Sequence, residues 1–477
     1  MKDTLNNCTD MNPKDCIELN IASDNSFRDP SGFIFMRQGV LNRLIRTCYR
    51  EHYDQLLSTG LYDELVESGL LIPHLEIPVG ESDSRQYGEI YKLLQPEMIP
   101  LVSYPYEWSF SQLKAAALAI LTIQKKALAK GMTLKDSPAQ NIQFKGCQPV
   151  LIDLPSFEIY RSGDTWQAYQ QFCRHFVAPL LLMNQDYRLL EIMLYKMDGI
   201  PLDFTSKLLP QRSWLSFGSL LHVHLHARAL KSCESGVNSI VKNSRMSITS
   251  LRGLIDSLES MITGLKWKIA PTEWSDYYRN TNYSAGALSA KEQMVDSLLA
   301  RLPAGQVWDF GANDGRFSEL AVRRGCYTVA MDFDPVAVEN NFKRHRDSAF
   351  MLPLRIDLRN PSPGNGWNGR ERLSLIERGP AETGMALALI HHLAISNNVP
   401  FPKLAQWFAS VCNNLIIEFV PRSDSMVQKL LSSRRDIFVN YDQRKFEADF
   451  SNFFTIRAAE HVTESERTIY LMEKIKD

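Results

Sequence analysis

The sequence lacks most of the features that mark specialised protein classes. No apolar run approaches the ~18 residues of a membrane span, and the longest, Ala115 to Leu121 and Val177 to Met183, are short. Neither sign of charge dominates. Lys plus Arg total 53 against 54 for Asp plus Glu, a formal net charge of −1, which argues against a general nucleic-acid coat. Cysteine is sparse and scattered, eight residues in 477, with no pair at zinc-knuckle spacing. A chain of this length buries a core without disulfide staples, so reduced thiols and a cytoplasmic location are expected. No repeat with a period of 20–50 residues is visible. Met1 to Pro30 has no apolar signal core and reads as a mobile polar tail. At ~150 residues per domain, the length predicts about three domains.

Mixed α/β patterning begins near Ser31. Helical spacing is predicted over Gln38–Leu57 and over 109–130, where Phe110, Leu113, Ala117, Leu118 and Leu121 recur at intervals of three and four. Asn141–Phe144 and Pro149–Asp153, flanking Lys145-Gly146-Cys147-Gln148, predict a hairpin. Helical patterns then run from Thr165 to about Leu265, and Lys266–Glu273 marks a boundary. From Gln306 onward short β-like runs alternate with helix-like ones, which predicts a parallel sheet with crossover helices.

The sharpest motif is Val307-Trp308-Asp309-Phe310-Gly311-Ala312-Asn313-Asp314-Gly315-Arg316-Phe317-Ser318. A strand ends in an acid, and a glycine turn leads into a helix. Gly311 and Gly315 admit a ligand where a Cβ would block it. Asp332 ends the next apolar run, where an acid can accept bonds from both hydroxyls of a ribose; Asp357 ends a third. The pattern D-x-G-x-x-x-G differs from the dinucleotide fingerprint, and its leading acid would repel a pyrophosphate but suits an α-amino group. It resembles motif I of class I S-adenosylmethionine-dependent methyltransferases. The resemblance implies that Asp309, Gly311 and Gly315, with Ala312 and Asn313, line the methionine end of S-adenosyl-L-methionine. It places Asp332 and Phe333 at the ribose, and Asp357 and Leu358 at the adenine edge. The bland alternative is a tight strand–helix turn with surface acids.

The same fold places the loop after its fourth strand at the transferring methyl group. Here that strand is read as Met385–Ile390, followed by His391 and His392, either of which could act as general base or merely shape the pocket. Strand alternation would let only one of them face substrate. Glu418, at the end of the apolar run Leu415–Val420, is a third catalytic candidate, or a partner for a base. Phe453–Arg457 and Thr468–Met472 predict a closing hairpin. Tyr278 and Tyr283 precede the first strand, where aromatic residues often cover the cofactor, or cap a packed helix.

Three longer stretches are Glu371-Arg372-Leu373-Ser374-Leu375-Ile376-Glu377-Arg378-Gly379-Pro380, Ala388-Leu389-Ile390-His391-His392-Leu393-Ala394-Ile395 and Ile417-Glu418-Phe419-Val420-Pro421. They resemble the bacterial family related to the nodulation protein NoeA, from about Ser31 onward. That family is methyltransferase-like and linked to host-specific nodulation in rhizobia, and the motifs imply no particular acceptor.

A second constellation lies upstream. Asp136 and Asn141 form D-x-x-x-x-N, and Asp153 ends a strand twelve residues later. The stretch resembles the catalytic loop of protein kinases and aminoglycoside-type phosphotransferases, where the first Asp orients the acceptor hydroxyl and the other two residues hold magnesium. Helix 109–130 and Tyr104–Trp108 fall where that family has the preceding helix and the hinge. No Gly-rich phosphate loop or V-A-I-K lysine precedes them; Arg43 and Lys92 are candidate substitutes, and Leu-Pro follows Asp153. The expected unit is therefore kinase-like but degenerate, with bound Mg–ATP as the alternative. His222, His224 and His226 read as helical packing rather than zinc ligands.

The expected architecture is α/β overall: a polar tail (1–30), a degenerate kinase-like α+β domain (31–200), a helical connector (201–270) and a Rossmann-like class I methyltransferase domain (271–477). The expected reaction is methyl transfer from S-adenosylmethionine to an oxygen or nitrogen of a small molecule or glycan, with no metal and no membrane or nucleic-acid partner. A phosphotransferase and a non-catalytic scaffold are the competing readings.

Overall fold

The computed structural model describes residues 26–476, apart from 81–82, 84–86, 88, 235–244, 268–271, 273–283 and 433–434. Among the described residues no helix is long and apolar enough to cross a membrane.

The carboxy-terminal half is built on seven strands: β9 (Val307–Phe310), β10 (Thr328–Asp332), β11 (Met351–Arg355), β12 (Ala381–Ala386), β13 (Cys412–Phe419), β14 (Phe454–His461) and β15 (Thr468–Lys474), in the order β11-β10-β9-β12-β13-β15-β14. The strands β9 to β13 are mutually parallel, while β15 runs antiparallel between β13 and β14. Val307–Phe310 and Thr328–Asp332 are buried at every residue, as strands covered by helices on both faces must be. The strand order reverses between β9 and β12, so a crevice opens beyond the carboxyl ends of these two strands.

Two sequence expectations need correction here. The fourth strand is Ala381–Ala386, not Met385–Ile390, and Ala388 closes it with φ near +50°. The apolar run continues because the loop beyond the strand is itself buried. His391 and His392 therefore lie at a single π-helical turn (His392–Ser396) rather than on alternate faces of a strand, with ring centroids 4.2 Å apart. The predicted helix over Gln38–Leu57 is instead a strand followed by a helix. β1 (Gly32–Arg37) pairs with β2 (Val40–Arg46), and a helix starts at Arg50. Gln38 and Gly39 both take positive φ, the geometry of a two-residue hairpin turn that twists with its strands.

β1 and β2 join β3 (His74–Ile77) and β4 (Ile90–Pro96) in an antiparallel sheet of order β1-β2-β4-β3. The long helix Phe110–Ala129 follows, started by a reciprocal Ser109–Gln112 capping box. Next come a short ladder of β5 (Met132–Leu134) with β8 (Phe157–Ile159), and the expected hairpin of β6 (Ile142–Lys145) and β7 (Gln148–Leu151). The last helix of the 201–270 stretch, Ile248–Gly264, lies along Phe110–Ala129, and Lys125 bridges to Asp256 and Glu259 at 2.6 Å.

The two halves share a continuous core. The β6–β7 turn abuts the sheet so closely that a Cβ on Gly146 would stand 2.2 Å from the Ser348 carbonyl oxygen, and Cys147 N–H donates to that oxygen. Gln112 donates to the Pro353 carbonyl, and Ser111 donates to Glu339. The segment joining β11 to β12 straps over the amino-terminal half. Its Arg378 grips Glu107 bidentately, at 2.5 Å on one arm, with the two side chains only 2% and 1% exposed. Breaking a buried pair leaves an uncompensated charge. Glu107→Ala is expected to lose about 3–5 kcal/mol in chemical denaturation.

Candidate active site

The glycine loop is pinned from both sides. Gly311 and Ala312 donate their N–H groups to the Met331 carbonyl at 2.8 and 2.9 Å, which ties β9's end to β10. Gly311, Asn313 and Gly315 all take positive φ. At Gly315 the backbone also passes so near helix Pro335–Arg344 that a Cβ would sit 2.6 Å from the Asn341 side chain, so this turn requires glycine on two counts.

Two strand-end acids flank the loop, and a third, Asp357, follows the adjacent strand. Asp309 accepts from Ser318 Oγ at 2.6 Å. Asp332 accepts from the Asn313 N–H on one oxygen and the Asp334 N–H on the other, both at 2.8 Å, and each oxygen keeps a second lone pair. Burial pushes the Asp309 carboxyl up to about 7, with Ser318 opposing and Asp332 adding to the rise. Burial likewise raises Asp332 to about 6 against the pull of the backbone N–H groups. Two desolvated carboxyls this close favour a cationic ligand. Burial also disfavours ionised Asp357, but Arg359 outweighs it and keeps the carboxyl below its usual range. Arg359 bonds both Asp357 oxygens and lies 5.3 Å from the ring of Phe333, which is 45% exposed and free to stack on a flat ligand. Leu358 is half-buried beside them.

The structure thus gathers Asp309, Gly311, Ala312, Asn313, Gly315, Asp332 and Phe333 at one loop, with Asp357 and Leu358 at the adjacent strand end. Tyr278 and Tyr283 lie outside the described residues.

At the other side of the crevice, Glu418 is fully buried at the end of β13. One oxygen accepts from Lys291 Nζ at 2.7 Å and from the Ala388 N–H at 2.6 Å, and the other lies 3.8 Å from Arg467. Arg467 also bonds Asp424 at 2.7 Å. Glu418 therefore fixes the left-handed turn from which the histidine loop departs. Burial, with Arg467 assisting, holds His392 down to about 4; burial, with His392, Arg467 and Lys291, depresses His391 well below its ordinary value. Among the described residues the Nδ1 atom of His391 is buried without a hydrogen-bond partner. Sequence reasoning missed Lys291, Asp424 and Arg467. Lys291 looks like any lysine on an amphipathic helix, and nothing local marks Arg467 as buried.

In the amino-terminal half, Arg43 reaches from β2 to Asp153, donating to Oδ1 at 2.8 Å, while Ser156 Oγ donates to Oδ2 at 2.7 Å and Asn141 Nδ2 approaches it at 3.4 Å. Lys92 is taken by Glu76. Burial raises the Asp136 carboxyl, opposed by Lys135 and reinforced by Asp153. His222 and His226 share Tyr169 as a neighbour, while His224 lies among serines. His222 bonds Tyr169 and Ser257, His224 bonds Ser206 and Ser213, and His226 stacks on Tyr169. No group of three metal-ligating side chains occurs among the described residues.

A sheet of order 3-2-1-4-5-7-6 with one antiparallel strand, carrying an acid-led glycine loop and an acid at the second strand's end, defines a class I S-adenosylmethionine-dependent methyltransferase. The donor set suits that cofactor's two positive centres. Within this class the chain belongs to the family of the nodulation protein NoeA. It is 35% identical to that protein of Rhizobium meliloti (strain 1021) over 458 residues, 94% of this chain and 95% of the relative. No protein-family model matches the sequence. Among solved structures, the N-methyltransferase NodS from Bradyrhizobium japonicum WM9, in complex with S-adenosyl-l-homocysteine, is similar over 42% of this chain and 93% of that one, at 9% identity and a TM-score of 0.32. Magnesium protoporphyrin IX methyltransferase from Synechocystis PCC 6803 is similar over 42% and 93%, at 16% identity and a TM-score of 0.30. At such scores these likenesses carry no argument; the sheet order and the loop do.

Proposed function

We propose that the carboxy-terminal unit methylates an oxygen or nitrogen of a small molecule or glycan. When bound, S-adenosylmethionine supplies a methyl group already activated by its sulfonium charge, so the chain mainly supplies alignment and a dry site. Asp309 would take the α-ammonium group, Asp332 the ribose hydroxyls, Phe333 a face of the adenine and Asp357 its edge. His391, whose buried Nδ1 has no partner among the described residues, would orient the acceptor. A histidine held down to about 4 is a weak base at neutral pH, so a hydrogen-bonding role suits His392 better than proton removal. The observation that carries this reading is the pair of buried carboxyls at the glycine loop. The test uses extracts of cells lacking the gene, incubated with methyl-labelled cofactor. Mass spectrometry is expected to show one labelled small product with the wild type and none with Asp309→Ala. No labelled product from any extract, or equal labelling by the variant, would count against it.

The amino-terminal half fits a degenerate kinase-like unit. Its sheet order, long helix and hairpin bring Asn141 and Asp153 together with Asp136 near enough to feel the Asp153 charge. Both Asp153 oxygens are already engaged, one by the Arg43 guanidinium and one by Ser156 Oγ, which leaves a poor ligand for a cation. Phosphoryl transfer depends on positioning through that metal. Mg–ATP is therefore expected to leave the melting temperature of the wild type unchanged. A saturable Mg–ATP shift that disappears in Asp153→Ala would instead establish a working phosphotransferase.

A further inference from the structure

The carboxyl ends of the parallel strands carry the cofactor crevice. At their amino ends lies a second cavity, of about 880 Å³, between the loop entering β9, the first residues of β12 and β13 and the last residues of β15. Its walls are held together by named contacts. Arg301, just after helix Ala285–Ala300, pairs with Glu460 of β14 at 2.9 Å. The loop behind it passes so close to β12 that a Cβ on Gly305 would stand 2.5 Å from the Glu382 Cβ. Asn414 of β13 donates to the Glu382 carboxylate at 2.9 Å, and the Ile475 N–H donates to the Phe453 carbonyl at 2.9 Å. The volume falls in the range of small-molecule sites, about 300–1,000 Å³. Strand β12 is six residues long, so roughly 20 Å of sheet separates this cavity from the histidine loop.

The lining carries four cations, Arg301, Arg457, Lys474 and Lys476, against two carboxylates, Glu382 and Glu473. The whole chain has a net charge of −1, so this excess is local. Among the described residues the side chains of Lys474 and Lys476 make no hydrogen bond or ion pair. Glu382 is held by the amides of Asn413 and Asn414, not by a cation. Arg457 bonds one Glu473 oxygen at 2.8 Å and is 56% exposed, and Arg301 beside Glu460 is 49% exposed. Ion pairs this exposed hold their partners weakly, so an incoming anion can share both guanidinium groups at little cost. Leu471 and Met472 line the same cavity and are buried, which gives it an apolar floor. Walls of one prevailing sign over a low-dielectric floor focus the field and concentrate anions. Guanidinium forks also match the oxygens of carboxylate and phosphate. The cations come from three separate segments around a space far larger than one ion, so the ligand that uses them together carries several charges.

We propose that this cavity binds a small molecule bearing at least two anionic groups, carboxylate or phosphate, through Arg301, Arg457, Lys474 and Lys476. The site takes no residue from the methyl-transfer crevice, so its occupation requires neither S-adenosylmethionine nor an acceptor.

The test is calorimetric titration of the full chain with citrate, and separately with tripolyphosphate, at constant ionic strength, with acetate as the singly charged control. One saturable site per chain is expected for at least one of the two polyanions, at least tenfold tighter than acetate. Tighter citrate binding identifies carboxylates as the recognised groups, and tighter tripolyphosphate binding identifies phosphates. Arg301→Gln with Lys474→Gln is expected to weaken the site at least tenfold. Lys476→Gln, at an exposed position, is expected to weaken it severalfold, which covers the case where the double variant fails to fold. Lys403→Gln removes an exposed lysine outside the cavity and is expected to leave the affinity unchanged. Absence of a saturable site, binding that survives the double variant and Lys476→Gln, or equal weakening by Lys403→Gln overturns the proposal. S-adenosylmethionine affinity of the same variants is expected to stay at the wild-type value, which separates this site from the methyltransferase crevice.

Discussion

Asp309→Asn is expected to weaken S-adenosylmethionine binding by about 100-fold or more, since the charge-assisted bond proposed for the α-ammonium group would give way to one with a neutral amide. Unliganded, burial raises Asp309 to about 7 and Asp332 to about 6. A cationic ligand prefers the ionised form, so affinity should climb with pH from about 5 and level off above about 7.5. The slope approaches tenfold per pH unit for each proton released. The sign for the bare fold is opposite. Both folded-state values lie above the unfolded range, so these groups contribute stability below pH 4 that is lost as pH rises through 6 to 7. Cofactor should therefore raise the melting temperature more at pH 8 than at pH 5. In Asp309→Asn the steeper part of that dependence should disappear.

Glu418→Ala carries the second large effect. It removes a buried partner of Lys291, 2% exposed, and one of the acids near Arg467, which is 1% exposed. Losing one partner of such a buried pair is expected to lower unfolding free energy by about 3–5 kcal/mol. Removing both partners together should hurt less than the sum. Lys291→Met with Glu418→Gln leaves no buried charge unpaired between these two positions, and a double-mutant cycle should show strong non-additivity. Glu418→Gln alone can still accept from the Ala388 N–H through its amide oxygen. It should retain cofactor binding while turnover falls, because the His391–His392 loop is held less rigidly. An Asp309-like collapse of cofactor affinity in Glu418→Gln would instead put Glu418 in direct contact with the cofactor.

The parallel sheet and its acid-ended strands were legible in the sequence because strands buried on both faces read as continuous apolar runs, and because only glycine tolerates the turns at 311 and 315. The long helix 110–129 was legible from its spacing and cap. The β1–β2 hairpin was not: Val40, Leu41, Leu44 and Ile45 also fit a helical stripe, and the deciding signal was two residues, Gln38-Gly39. The end of the fourth strand was misplaced because Leu387, Leu389 and Ile390 are as apolar in a buried loop as in a strand. The network of Lys291, Glu418, Arg467 and Asp424 joins residues up to 176 positions apart, from Lys291 to Arg467, and no local pattern encodes such pairing. The Arg43–Asp153 bond is equally hidden, since its two residues stand 110 positions apart.

Isothermal titration of the full chain with S-adenosylmethionine at pH 8 tests the central claim most directly. One site per chain is expected for the wild type, with heat lost in Asp309→Asn. Absence of binding by the folded wild-type protein would contradict the assignment.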